Sequence, residues 1–333
     1  MSKSAAVILA AGQGSRMRSK LAKVLHPLAG LEMVNHAVRS VRLAGFDEII
    51  VVIGYQGEKV QAVLEGVKVA EQREQLGTGH AVDQCRDLLR DFDGPVLVTY
   101  GDTPLFRSET FQQLLSYHQE QQAAATIVTA HFADPTGYGR ILRDDNNEVL
   151  GVVEHKDAAP EQRLIKEINT GTYMFHGQLL FHYLTQITPQ NAQAEYYLPD
   201  VLPLMIADGH RVAGYVLEDA AESMGVNDRI QLAQAEAILR DRICRHWQEQ
   251  GVTIVDPPST WIEWDCEIGR DTVIYPGCLI QKGTKIGEDC VIGPNCRLSG
   301  AEVKSGTTLE HVVVVDRSVG KADGILPFSF LSK

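Results

Sequence analysis

Along roughly the first two-thirds of the chain, apolar and polar blocks alternate as strands and helices would. Val7, Ile8 and Leu9 form a short apolar run of the kind a fully buried parallel strand needs. Met33, Val34, Ala37, Val38 and Val41 then recur at helical spacing. Ile49–Ile53 reads as a further buried strand and Val67–Ala70 and Pro95–Thr99 as further strands, with a helix predicted over Gly79–Leu89. Ala125–Ala130, Glu148–Val153 and Thr172–Phe175 are also strand-like, but helices no longer separate them regularly, which predicts antiparallel additions. The pattern is that of an α/β domain with a mostly parallel sheet, assigned to residues 1–228.

A long polar helix follows, over about Asp228–Gln250, carrying Ile230, Ala233, Ala237, Ile238 and Cys244. It is expected to connect, as residues 229–251, to a second domain over 252–333. Asp256-Pro257-Pro258-Ser259 marks the boundary. Beyond it Ile262, Ile268, Ile274, Ile280, Ile286, Ile292 and Leu298 sit six residues apart without a break. Four residues after each isoleucine stands a small residue: Cys266, Thr272, Cys278, Thr284, Cys290 and Cys296. That period is the signature of a parallel β-helix, with isoleucine filling the interior and small residues at the corners. After Leu298 the ladder weakens, with Val303, Leu309 and Val315 expected to face inward after a slip of one residue. The tail, Lys321–Lys333, has no repeat and is expected to cap or extend the coil.

Composition narrows the function classes. With 333 residues and a net charge of −12, the chain has the size of about two domains and lacks the basic balance of a nucleic-acid surface. No apolar run approaches the roughly 18 residues of a membrane span. The start, Met-Ser-Lys-Ser, leads directly into the first strand, so a cytoplasmic location is expected. The six cysteines include no Cys-x-x-Cys pair. Four of them occupy repeat positions, which favours packing over a metal site.

The chemistry concentrates just after the first strand. Leu9, Ala10, Ala11, Gly12 and Gly14 strip the backbone of bulk, and Arg16, Arg18, Lys20 and Lys23 follow. A strand, a bare turn and a group of cations suit a polyphosphate at a strand's C-terminal edge. Two familiar phosphate loops do not match: Met17 stands where the dinucleotide fingerprint needs glycine, and Gly-Lys-Ser/Thr is absent. The complete run Leu9-Ala10-Ala11-Gly12-x-Gly14-Ser15-Arg16-Met17, with Lys23 seven residues after Arg16, resembles the signature loop of sugar-nucleotide pyrophosphorylases. Continued through Lys23-Val24-Leu25-His26-Pro27-Leu28-Ala29-Gly30, it is most similar to the N-acetylglucosamine-1-phosphate uridylyltransferases of the bifunctional bacterial type.

If that loop holds a triphosphate, Asp102 in Tyr100-Gly101-Asp102 lies at the end of another strand, where a metal ligand is wanted. Magnesium needs few protein oxygens beside water and phosphates. The resemblance implies Mg²⁺ held by Asp102 and by Asn227 of Gly225-Val226-Asn227. A neutral base calls for amide and backbone contacts, which Gln72 and the run Gln75-Leu76-Gly77-Thr78-Gly79-His80-Ala81 offer; Gly77-Thr78 also suits a helix start. The resemblance further implies that Gly139, Glu154 and Asn169 contact an N-acetylglucosamine moiety. Glu195–Asp200 is expected as a packing and sugar-side loop.

The implied fold is a Rossmann-like nucleotidyltransferase domain followed by a short left-handed β-helix. The implied substrates are UTP and N-acetylglucosamine-1-phosphate, with UDP-N-acetylglucosamine and pyrophosphate as products that feed cell-envelope polysaccharide synthesis. Lys23 is assigned to the α-phosphate and sugar phosphate, and Arg16 to the departing phosphates. Family members add an acetyltransferase site in a longer β-helix; no counterpart stands in this sequence, so that activity is expected to be absent. A homotrimer through the β-helix, and neither nucleic-acid nor membrane partners, complete the expectation. Alternatives are a transferase using another nucleotide or hexose phosphate, a catalytically silent sugar-nucleotide-binding scaffold, and a second chain supplying the acetyltransferase site.

Overall fold

The computed structural model describes residues 3–333. Strand β1 (Ala5–Ala10) is buried along its whole length, as a strand paired on both edges and covered on both faces must be. Ala5, Val7 and Leu9 enter one apolar cluster while Ala6, Ile8 and Ala10 enter the other, following the two-residue alternation of a strand. The remaining strands are β2 (Glu48–Ile53), β3 (Lys68–Glu71), β4 (Pro95–Tyr100), β5 (Ala125–His131), β6 (Arg140–Arg143), β7 (Val149–Val153), β8 (Glu167–His176) and β9 (Val212–Val216). Their order is β9-β5-β8-β4-β1-β2-β3, with β6 joining β8 and β7 pairing β6.

β1, β2, β3 and β4 run parallel, and β9 is parallel to β5. The antiparallel additions are β8, which pairs antiparallel with both β4 and β5, and the β6–β7 hairpin. The helix expected over Gly79–Leu89 is confined to Thr78–Asp83. Cys85 and Leu89 still reach the core from the turns that follow, so the apolar spacing is satisfied without a continuous helix.

The chain divides into two units, and the division is not a single cut at 228. The first runs to His26 and resumes over Met33–Asp228; the second contains Pro27–Glu32 and Arg229–Lys333. Pro27–Leu28 and Leu31–Glu32 form a small antiparallel hairpin. Within the second unit the Ala29 N–H donates to Glu236 at 3.0 Å, and the Trp264 N–H donates to the Ala29 carbonyl at 3.1 Å. Of the residues picked out on this helix, which runs over Arg229–Glu249, Cys244 is buried together with Ala235, Ile238 is half-buried, and Ala233, Ala237 and Ile230 are exposed, Ile230 at 72%. Only a narrow stripe of that helix is covered, and packing rather than hydrophobicity selects it.

Three parallel sheets build the β-helix, the longest having five rungs from Trp261–Ile262 to Phe330–Ser332. Ile262 through Ile292 at hexad spacing, then Leu298, all point inward and are buried. The corner cysteines and threonines are buried too, and all six cysteines of the chain are free thiols. The Thr272 hydroxyl donates to the Gly287 carbonyl at 2.8 Å, and the Cys278 thiol to the Ile292 carbonyl at 3.6 Å. Small polar side chains at these corners thus satisfy carbonyls of the adjoining coil. Beyond Leu298 the inward residues are Val303, Leu309, Val314 and Val319. Val315 was expected inside and is instead half-exposed, because Val314 pairs with Leu298. In the tail, Phe330–Ser332 adds a rung beside Val313–Val315.

Candidate active site

The ends of β1 and β4 are stitched together: the N–H of Gly101, the residue after β4, donates to the Leu9 carbonyl at 2.9 Å. This places Leu9–Gly12 beside Tyr100–Asp102 at the C-terminal edge of the parallel strands, where open α/β sheets bind ligands. Gly14 has φ +63°, and a Cβ on it would lie 2.4 Å from the Lys23 Cβ. The missing side chain is therefore what lets the Lys23 stem cross the loop.

Lys23 opens a short 3-10 turn whose Val24 and Leu25 are buried, which anchors its backbone. Its ammonium forms an ion pair with Asp102 and donates to Asn227 Oδ1 at 3.0 Å. The Lys23 and Asp102 side chains are only 12% and 16% exposed. Asn227 is brought there by the backbone: the Val226 N–H donates to the Asp102 carbonyl at 2.8 Å, and Val226 is buried. Arg16 lies on an exposed turn and makes no hydrogen bond or ion pair with any described residue, so its guanidinium is available to a ligand.

Upstream of Asn227, Glu222 is buried and accepts four hydrogen bonds. They come from the Arg107 N–H, Nε and Nη2 at 2.9, 2.8 and 2.5 Å and from the Thr110 hydroxyl at 2.7 Å. Its place before Gly225 gave no hint of this clasp in the sequence. Glu222→Ala is expected to lower unfolding free energy by about 2–3 kcal/mol, because donors are left unpaired in the interior and the Arg107 side is half in water. Urea denaturation of the variant measures this.

A cavity of about 230 Å³ opens beside these residues. Leu9, Ala10, Ala11, Gly12, Lys23, Gln72, Gly77, Thr78, Tyr100 and Asp102, all singled out from the sequence, line it. Gln75, Val24, Ala81 and Glu195 complete the wall. Gln72 is buried, donating to the Gly77 carbonyl at 3.0 Å with His80 Nδ1 at 3.1 Å. Gly77 has φ +112°, and a Cβ there would lie 2.6 Å from the Tyr196 carbonyl oxygen. Gly77-Thr78 does begin a helix, but the Thr78 hydroxyl makes no cap; it accepts from the Leu198 N–H at 3.0 Å. The Glu195–Asp200 run thus closes the Gly77 side of the cavity as well as facing the second cluster described next.

That second cluster contains Gly139, Glu154 and Asn169. The Asn169 N–H donates to the Gly139 carbonyl at 2.9 Å, and a Cβ on Gly139 would lie 3.0 Å from Glu154 Oε1. Asn169 Oδ1 accepts from the Gly171 N–H and the Tyr173 hydroxyl, both at 2.9 Å, which aims its amide by fixing the oxygen. The register of β8 shifts between Asn169 and Tyr173. Gly171 in that bulge gives room to the Tyr100 ring, whose nearest atom would be 2.6 Å from a Cβ. Tyr100 therefore joins the two clusters. Burial raises the Glu154 carboxyl, helped by Asp157 and Asp200. Burial, then Asp157, push Asp200 up to about 6.

Asp102 and Asn227 direct a carboxylate and a carboxamide oxygen at one ammonium, so a cation already suits the position between them. Among the described residues no group of three or more His, Cys, Asp and Glu could hold a metal ion. A metal between Asp102 and Asn227 would take its remaining ligands from water and phosphate oxygens, as magnesium prefers.

Residues 5–261 match the nucleotidyl transferase family, and 265–300 match the bacterial transferase hexapeptide family of six repeats. The bifunctional protein GlmU of Halalkalibacterium halodurans is 48% identical over 99% of this chain and 73% of its own length. The chain belongs to the GlmU family. GlmU proteins of Exiguobacterium sibiricum and Brevibacillus brevis are 49% and 48% identical over 98% and 99% of this chain, and 73% and 72% of their own lengths. The family supplies what periodicity alone could not: the sheet is that of a nucleotidyltransferase, and the hexad coil is a short left-handed parallel β-helix. No described helix is long and apolar enough to cross a membrane.

Proposed function

We propose that this chain is a magnesium-dependent uridylyltransferase that makes UDP-N-acetylglucosamine and pyrophosphate from UTP and N-acetylglucosamine-1-phosphate. The observation that carries the reading is the convergence of Lys23, Asp102 and Asn227 beside a cavity walled by Gln72, Gly77 and Thr78. An oxygen of the sugar phosphate attacks the α-phosphorus of UTP, and the bond to the β-phosphate breaks as pyrophosphate leaves. A phosphate monoester has its second pKa near about 6, so the nucleophile is largely dianionic at neutral pH and no general base is required. Positioning and charge neutralisation do the rest.

Lys23 binds the α-phosphate and the sugar phosphate, and Arg16 the departing phosphates. In the resting state Lys23 keeps Asp102 paired; substrate phosphates arriving with a cation exchange those partners. Asp102 and Asn227 would hold magnesium, which when bound neutralises charge on the phosphate oxygens. Gln72, Gly77 and Thr78 receive the uracil ring and Leu9–Gly12 its ribose and phosphates. Gly139, Glu154 and Asn169 receive the sugar. The β-helix assembles the protein as a cytoplasmic homotrimer.

Gly77→Ala is expected to raise the KM for UTP about tenfold or more with a smaller change for the sugar phosphate. A side chain at that positive φ forces the Tyr196 segment outward, at a cost on the order of 1–3 kcal/mol. Separate titrations of the two substrates decide it. For the reaction itself, pyrophosphate release is measured with UTP and N-acetylglucosamine-1-phosphate or glucose-1-phosphate, with and without Mg²⁺. Release that needs Mg²⁺ supports the proposal. A preference for glucose-1-phosphate changes the substrate and keeps the mechanism, and no release with either sugar overturns it.

A further inference from the structure

Arg140 is the largest of the fully buried side chains, 1% exposed. It stands where three strands meet: its Cα partners are Val153 on β7 and Ile168 on β8. Each neighbour of that junction is a residue of the second cluster. Gly139 precedes Arg140, Glu154 follows Val153, and Asn169 follows Ile168. The guanidinium is poorly matched for so costly a burial. Nη1 donates to the Tyr138 carbonyl, Nη2 to the Arg163 carbonyl at 3.4 Å, and Nη2 stands 3.5 Å from His155 Nδ1. Nε is inaccessible and has no partner.

A core position kept only for stability would be filled better by an apolar side chain. The placement of the charge indicates another use. Tyr138, whose carbonyl the guanidinium grips, packs edge-on against Phe132, and its phenol lies within the fields of Asp102 and Arg16. The turn that Arg140 holds therefore lies between the phosphate side and the sugar cluster.

We propose that Arg140 is a positioning residue of the sugar site: it locks the Tyr138–Gly139 turn, and with it the Gly139 carbonyl that receives the Asn169 N–H and the Gly139 backbone that packs on Glu154. This rests on the reaction proposed above. A ligand cannot reach the buried Nε, so Arg140 acts through Gly139 and not by contact with substrate.

Arg140→Gln and Arg140→Lys in the full chain test this, each with two readouts. The first is the KM for each substrate in pyrophosphate release. The second is the Kd for N-acetylglucosamine-1-phosphate by calorimetry, with thermal melting as the control for folding. Arg140→Gln is expected to raise the KM and the Kd for the sugar phosphate about tenfold and the KM for UTP less than about twofold, as misplacing a binding group does. Arg140→Lys, which keeps the charge but loses the planar fork, is expected to raise the sugar-phosphate KM as well. Equal losses for both substrates, or parent-like KM values in Arg140→Lys, would each overturn the proposal. Should the parent protein release no pyrophosphate, the proposed reaction fails, while the sugar-phosphate Kd of the two variants still decides the role of Arg140.

Discussion

Lys23→Ala is expected to lower turnover a hundredfold or more, on the order of 3 kcal/mol for the lost electrostatic contact. The side chain is mostly buried, held over Gly14 and aimed at Asp102 and Asn227, so the loop itself places its charge beside the cavity. The same variant leaves Asp102 without its ion-pair partner, which should strengthen binding of Mg²⁺ or Mn²⁺ in the absence of substrate. The two readouts, slower turnover and tighter metal binding, separate loss of a phosphate ligand from general damage to the site. Near-normal turnover in Lys23→Ala would remove the assignment.

Asp102→Asn is the second large effect. It should reduce activity a hundredfold or more at fixed Mg²⁺, again about 3 kcal/mol, and raise the Mg²⁺ concentration needed for half-maximal rate. The fold should survive, because the Val226 N–H bonds the Asp102 backbone carbonyl and not its carboxylate. An amide still accepts a hydrogen bond from Lys23 but no longer carries the charge that a divalent cation requires. A metal titration of the steady-state rate, with thermal melting as the control for folding, checks both halves. Unchanged Mg²⁺ dependence would place the metal ligands elsewhere.

Much of the site is legible in the chain because its parts are local. Leu9–Gly12, Gly77-Thr78 and Tyr100–Asp102 are short runs at strand or helix ends, and every one of them except Gly101 lines the cavity. Gln75, which opens the run offered for the base, lines it too. The contribution of Glu195 was harder to see, because it reaches the cavity only where Tyr196 packs over Gly77 from far along the chain. Glu222 and Arg140 carried no local signal at all, since a buried charged residue looks like a surface one until its partners are placed.

Some features were decided by the sequence alone. The isoleucine period of the second domain dictates which side chains face inward, because each side of a coil is one backbone repeat and needs no distant partner to define it. The apolar run of β1 likewise dictates a buried central strand. Other features belong to the tertiary structure. It decided that Lys23 meets Asp102 and Asn227, 79 and 204 residues away, and that Pro27–Glu32 joins the second unit. It also decided that Val314 rather than Val315 turns inward. Period and turn chemistry are set by the backbone within a few residues, whereas pairing across long separations depends on which strands dock and in what register.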